Sequence, residues 1–149
     1  MKTVLAFISA FSLMLSGMCD AADRKGLEKS LRIHLSAKEY GGSLLHQAKL
    51  DGVNYRKHLR GAIAEDDDSL SALFRYTHNG HLMGEGAEEH AEILLKLLRF
   101  WGDREFSRVL ARESQKVRKF VVSYMDSSWP EGWKATQYPK TYRLGPHGG

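Results

Sequence analysis

The apolar pattern between residues 115 and 126 constrains the fold of this chain more than any other feature. Val117, Phe120, Val121 and Tyr124 recur at positions i, i+3, i+4 and i+7. This spacing places all four side chains on one face of an α-helix. The pattern therefore predicts an amphipathic helix that packs its apolar face against the rest of a helical domain.

Helical spacing also runs through the preceding part of the chain. It predicts four more helices, over residues 54–65, 69–77, 87–101 and 104–112. The acidic triplet at 66–68 supplies an N-cap and favourable first-turn charge. Gly102 is expected to end the third of these helices, and Asp103 to cap the next. Because residues 87–101 are apolar around most of the helix, we expect this helix to lie centrally in the core.

The two ends of this helical region are less regular. Before residue 54, Leu27 and Leu31 indicate a helical turn or two, and Ser43 starts another. After Asp126 the chain is rich in aromatic residues, proline and glycine, which cannot form one continuous helix. We interpret residues 128–149 as an extended aromatic tail that lays its rings over the helices. The predicted fold class is therefore all-α.

One segment carries a family resemblance. Its order is an apolar helix from Leu97, then Gly102-Asp103, then Phe106, Val109 and Leu110, then Val117-Arg118 and Val121, ending at Met125. This order resembles one unit of the HEAT-like helical repeats. The resemblance implies a stack of helix pairs that presents a surface to a protein partner. A plain short-helix bundle accounts for the same helices, because stacked repeats need about three units to bury a continuous core.

The N-terminus has the pattern of an export signal. Lys2 precedes an uncharged apolar stretch, Val4 to Met18, which is too short to span a bilayer comfortably. Cys19-Asp20-Ala21 follows with the small-x-small pattern that a signal peptidase accepts. We therefore expect cleavage after Ala21, a mature domain of residues 22–149, and a location in the periplasm or outside the cell.

Two alternatives remain at this end. The stretch could be an uncleaved hydrophobic anchor. Alternatively, residues 15–19 resemble a bacterial lipobox in which Cys19 becomes the diacylated N-terminus, although Met18 and Ser16 depart from that motif. Lipid chains on Cys19 would tether the domain to a membrane, and they are the only reason to expect membrane binding.

Composition excludes several classes of protein. The single cysteine, Cys19, lies in the predicted signal peptide, so the mature domain must be stable without an internal disulfide. The net charge of +4 is modest, and an exported protein seldom meets nucleic acid, so we do not expect nucleic-acid binding. No linker or low-complexity run divides residues 22–149, which indicates one domain.

The most suggestive candidate site combines histidines and a carboxylate. His78 and His81 lie in a predicted loop, and Glu89 and His90 follow on the next helix. Such side chains could converge on Zn or another divalent metal. However, the spacing matches no established metal motif, and carboxylates at a helix start also stabilise its dipole. An acidic helix start beside a polar loop is therefore the preferred interpretation, with a metal site as the alternative.

Two regions are candidate partner-binding surfaces. Arg104, Arg108 and Arg112 are spaced by four and share one helical face. Trp129 and Trp133 belong to the predicted aromatic tail, and exposed tryptophans often anchor interfaces. A solvated basic face and rings that close over the core are the simpler explanations of these two patterns.

The sequence contains no familiar catalytic motif. We find no Gly-x-Ser-x-Gly elbow, no P-loop and no dinucleotide-binding glycine pattern. The sequence therefore predicts no catalysis and no cofactor, and favours an exported interaction module whose partner is another envelope protein.

The export hypothesis makes a direct prediction. The protein recovered from the exporting cell should begin at Ala22, because the small residues Cys19 and Ala21 flank the expected cleavage site. Intact-mass spectrometry measures this. A mass that retains residues 1–21 would favour the uncleaved anchor, and a chain beginning at an acylated Cys19 would favour lipidation.

Overall fold

A computed structural model describes residues 12–128 and 136–146, with side chains for residues 21–127 and 136–146. These residues form helices, turns and loops without a strand, which confirms the predicted all-α fold. The helices are α1 (Ser12–Leu35), α2 (Leu44–Leu50), α3 (Tyr55–Ile63), α4 (Asp67–Asn79), α5 (Gly84–Leu110), α6 (Gln115–Ser128) and α7 (Pro139–Tyr142).

The N-terminal part is more regular than the sequence suggested. α1 runs without interruption from Ser12 to Leu35, and it buries Leu27 and Leu31 against the core. Arg56 closes its C-terminal end, because the guanidinium donates to the carbonyls of Leu35 and Ala37 at 3.1 and 2.8 Å. In the described part of the chain, none of the helices is both long and apolar enough to cross a membrane.

Local capping explains where α3 and α4 begin. The Asn54 side chain accepts a hydrogen bond from the amide of Lys57 at 3.1 Å, and Asp66 accepts one from Ser69 at 3.0 Å. Both caps agree with the predicted helix starts to within a few residues. Glu65, with φ of 61°, turns the chain between the two helices.

Gly102 divides α5 as the sequence predicted. Its backbone angles, φ 75° and ψ 158°, are not helical, so the residues before and after it form two helical halves. The prediction for Asp103 needs correction. Its carboxylate accepts hydrogen bonds from the amides of Lys140 and Thr141, both at 2.8 Å, and therefore caps α7 at the other end of the chain.

α5 is the central element of the domain, as its apolar composition predicted. It packs against α1, α2, α4, α6 and α7. The fully buried apolar side chains of its first half are Ala91, Ile93, Leu94, Leu97 and Leu98. Trp101 adds a specific contact, because its indole N–H donates to the carbonyl of Ala62 at 2.9 Å. The core therefore surrounds α5, and the other helices are positioned by it.

The described part of the C-terminal segment is not the extended tail that the sequence suggested. Residues 139–142 form the short helix α7, which packs on α5. Tyr138 and Tyr142 are partly buried against the core, so these rings do cover the helices. The interpretation placed Trp129 and Trp133 in the same segment, but both lie outside the described residues.

The break in α5 predicts that the protein is destabilised when Gly102 is replaced. Gly102→Ala should lower the free energy of unfolding by about 1–3 kcal/mol, because its backbone conformation is nearly inaccessible to residues with a Cβ. A Cβ there meets no atom within 4 Å, so the cost comes from the backbone alone. Urea unfolding measures the change.

Gly26→Ala is the matched control for that experiment. Gly26 lies inside α1, has ordinary helical geometry and leaves open space for a Cβ. Alanine there should be neutral or stabilising by up to about 1 kcal/mol. Equal losses at both positions would contradict the role assigned to Gly102.

Candidate functional site

His90 lies at the centre of a buried hydrogen-bond network. Its Nδ1 is 2.7 Å from the hydroxyl of Tyr55, and its Nε2 is 2.8 Å from Oγ1 of Thr77. The Thr77 hydroxyl donates its proton to the carbonyl of Leu73 at 2.9 Å, so it must accept from His90. His90 is therefore a neutral imidazole that carries its proton on Nε2 and accepts from Tyr55 through Nδ1.

Aromatic rings from three helices surround this imidazole. The ring centroids of Tyr55, Tyr76 and Tyr124 lie 5.5, 5.6 and 5.9 Å from that of His90, all in edge-to-face geometry. His90 is fully buried, and this burial lowers its pKa to about 3. The residue therefore joins α3, α4 and α6 to α5 as an uncharged part of the core.

The other proposed metal ligands have separate partners. His81 Nδ1 lies 2.7 Å from a carboxylate oxygen of Asp51, and His78 Nδ1 lies 2.7 Å from the side-chain oxygen of Asn79. Glu89 binds the imidazole of His34 at 3.0 Å. Within the ranges that the structure describes, no three potential metal-ligating side chains form a group that could hold an ion. The structure therefore does not bring His78, His81, Glu89 and His90 together.

The loop between α4 and α5 is fixed to α2 at two points. Asp51, at the end of α2, accepts hydrogen bonds from the backbone amide of His81 at 2.9 Å and from the hydroxyl of Tyr76 at 3.1 Å. The amide of Met83 donates to the Gln47 side chain at 2.8 Å, and its carbonyl accepts from Gln47 at 2.9 Å. The pKa of Asp51 lies below its usual range, mainly because the backbone amide of His81 donates to the carboxylate and secondly because the His81 side chain does so.

Apolar side chains project from this fixed region into solvent. Leu50 is 74% exposed, Met83 is 73% exposed and Tyr40 is 51% exposed. Gln47 binds the backbone of Met83, and Leu50 follows Gln47 by three residues on α2. We call Tyr40, Leu50 and Met83 the apolar face.

A cleft of about 360 Å³ adjoins the apolar face between α1, α2 and α5. Its lining includes Tyr40 and the carboxylates of Glu85, Glu88, Glu89 and Glu92. The sequence predicts that these carboxylates form the acidic start of a helix, and in the structure they also form one wall of a cavity.

Half of these carboxylates belong to a polar network. His34 Nδ1 lies 3.0 Å from Glu89, and its Nε2 lies 3.2 Å from the ammonium of Lys96, which also binds Glu92 at 2.6 Å. Because an ammonium group only donates, Nε2 accepts and Nδ1 carries the proton. The other two carboxylates differ: Glu85 accepts from the Tyr40 hydroxyl, and Glu88 forms no ion pair with any described residue.

Arg104, Arg108 and Arg112, which we call the basic stripe, are largely paired with carboxylates of the same molecule. Arg108 binds Asp67 through two hydrogen bonds of 2.7 and 2.8 Å, and Arg112 binds the same carboxylate at 2.9 Å. These contacts, with the hydrogen bond from Arg108 foremost, lower the pKa of Asp67. Arg104 lies 3.5 Å from Glu105, which also accepts from Arg108. Arg104 and Arg108 lie on α5, whereas Arg112 lies in the turn after it, so the three do not share one helix as predicted. Arg108 and Arg112 fasten this end of α5 to α4.

Glu113 forms a second polar link that sequence reasoning missed. Its carboxylate is buried and accepts from Arg75 at 2.9 and 3.0 Å and from the hydroxyl of Ser71. Burial alone would raise the pKa of Glu113, but the hydrogen bonds from Arg75 and Ser71 outweigh it and lower the pKa. This group connects α4 to the turn before α6 and has the geometry of a structural ion pair.

No family model matches the chain, and neither a curated protein nor a solved structure matches it. The resemblance of residues 97–125 to a HEAT-like unit therefore stays a prediction. Any function must be argued from the geometry of the chain's own residues.

The buried imidazole predicts a pH-dependent stability. In the unfolded chain His90 binds a proton near its ordinary pKa of 6.5, but in the folded protein it does so only near pH 3. The unfolded state therefore holds more protons between these values, and stability falls as the pH is lowered. Between pH 6.5 and 5.0 the loss through His90 should be about 1.5 kcal/mol.

Urea unfolding at the two pH values measures this loss, with His90→Gln as the test variant. The variant should have a lower free energy of unfolding at neutral pH. Between pH 6.5 and 5.0 its free energy of unfolding should fall by about 1.5 kcal/mol less than that of the unmodified protein. His46→Gln, which removes a half-buried imidazole from α2, is the control and should keep the loss. An unchanged pH dependence in His90→Gln would contradict the assigned role.

Proposed function

We propose that this chain is exported and that its helical domain acts as a protein-interaction module in the periplasm or outside the cell. The N-terminal pattern supports export: a cation, a short apolar stretch and the small-x-small sequence at residues 19–21. The resemblance of residues 97–125 to a HEAT-like unit is in keeping with an interaction role. The partner is another protein of the same compartment.

The apolar face is the observation that carries this proposal. Scattered exposed apolar side chains are common on protein surfaces. Met83, however, belongs to a loop whose backbone is fixed by hydrogen bonds to Gln47 and Asp51, and these two residues flank Leu50 in the chain. A partner that covers such a pre-ordered surface gains the apolar burial without having to order a loop. The arrangement therefore suits binding better than a mobile loop would.

The apolar face is a better contact surface than the basic stripe that the sequence favoured. Arg108 and Arg112 are already bound to Asp67, so a partner would have to compete with these ion pairs. Arg104 is more exposed, and among the described residues its charged partner is Glu105, 3.5 Å away. The basic stripe therefore contributes mainly to the packing of α4 on α5.

In-cell photo-crosslinking tests the proposal. A photoreactive residue in place of Met83 should form an adduct with another protein in cells that export the chain. Leu50→Ser in the same molecule should reduce the adduct about tenfold or more, because covering a leucine contributes about 1.5–3 kcal/mol. Gel analysis of the tagged chain measures the adduct.

A photoreactive residue in place of Ile33 is the matched control. Ile33 is 63% exposed on α1 and does not belong to the apolar face. No adduct from position 83, or adducts of equal yield from both positions, would contradict the proposed interaction surface.

A further inference from the structure

Carboxylates border the apolar face on the side of α5. Met83 is followed at the start of α5 by Glu85 and Glu88, which lie in the wall of the adjoining cleft. The Tyr40 hydroxyl donates to Glu85, so the apolar face and the acidic wall are in direct contact. A ligand that covers Tyr40 and Met83 must therefore also approach these carboxylates.

The cleft keeps a net negative charge. Four carboxylates line it, whereas the ammonium groups near them are those of Lys38 and Lys96. His34 adds no positive charge in the observed arrangement, because it accepts a hydrogen bond from Lys96 and donates to Glu89. Of the four carboxylates in the cleft wall, Glu92 binds Lys96 and Glu89 binds the His34 imidazole, whereas Glu85 and Glu88 contact neither a described cation nor a described imidazole.

We propose that the partner binds through a positively charged amphipathic segment, whose apolar residues cover Tyr40, Leu50 and Met83 while its Lys or Arg side chains reach Glu85 and Glu88. This inference rests on the proposed function and specifies the chemistry of its partner. Unpaired carboxylates beside exposed apolar groups favour a ligand that combines both properties and repel acidic peptides and anionic lipid surfaces.

The ion pairs and the apolar contacts of the proposed complex should respond differently to salt. Exposed ion pairs contribute about 0–1 kcal/mol each and weaken in salt, whereas apolar burial does not. The carboxylates should therefore select the sign of the partner's charge, and the apolar residues should supply most of the affinity. Removing either set alone should weaken binding without abolishing the fold, because all five side chains lie at the surface.

Binding of defined peptides to the exported protein tests this inference. The probes are a helix-forming amphipathic peptide of Leu and Lys, its Leu and Glu counterpart, and a Lys peptide without apolar residues. Fluorescence anisotropy should show the Leu and Lys peptide binding best, with affinity falling as salt rises from about 50 to 500 mM. Glu85→Gln with Glu88→Gln should weaken it about tenfold.

Glu28→Gln with Glu105→Gln is the control, because it changes the net charge equally at exposed carboxylates outside the cleft. The affinity of this control variant for the Leu and Lys peptide should stay within about twofold of that of the unmodified protein. Leu50→Ser should weaken binding of the Leu and Lys peptide about tenfold.

Other outcomes overturn the inference in distinguishable ways. Equal or better binding of the Leu and Glu peptide would keep the apolar contact surface but remove the charge selection. Binding of vesicles with anionic lipids, or a dimer of the protein that Leu50→Ser dissociates, would replace the proposed occupant. If no peptide binds, the inference fails, and the crosslinking experiment still decides the interaction surface independently.

Discussion

The structure depends most on the buried contact between His90 and the helices around it. A polar side chain inside an apolar core is stable only if each of its polar atoms has a partner. His90 meets this requirement through Tyr55 on α3 and Thr77 on α4, while the Tyr124 ring of α6 packs on its edge. Both hydrogen bonds require α3, α4 and α5 to adopt one arrangement, so this residue specifies how the helices pack.

The apolar face is connected to this core by a short series of contacts. The ring of Tyr76 packs on His90, and its hydroxyl donates to Asp51 at the end of α2. Asp51 in turn holds the loop that leads to Met83. The packing of the helices therefore fixes the position of the loop that carries Met83 in the apolar face. The same reasoning separates His90 from any ligand-binding role, because both of its nitrogens are already used inside the fold.

The sequence predicted the features that depend on neighbouring residues and missed those that depend on distant ones. The caps at Asn54 and Asp66 and the break at Gly102 are local, so their positions could be read from the chain. Asp103 was expected to cap its own helix, because nothing in the sequence reveals that α7 packs against it. For the same reason His90 was a candidate ligand in the alternative metal-site interpretation, since spacing along the chain does not show which side chains other helices contribute.

His90 is a neutral core residue and not a ligand or a reactive group. Nitrogen-15 NMR of the histidine side chains tests this assignment, because the two ring nitrogens report separately on protonation. Near pH 6 the His90 imidazole should be uncharged, carry its proton on Nε2 and be unchanged by added Zn. A charged His90 ring, a proton on its Nδ1 or a shift of its signals with Zn would show that the assignment is wrong.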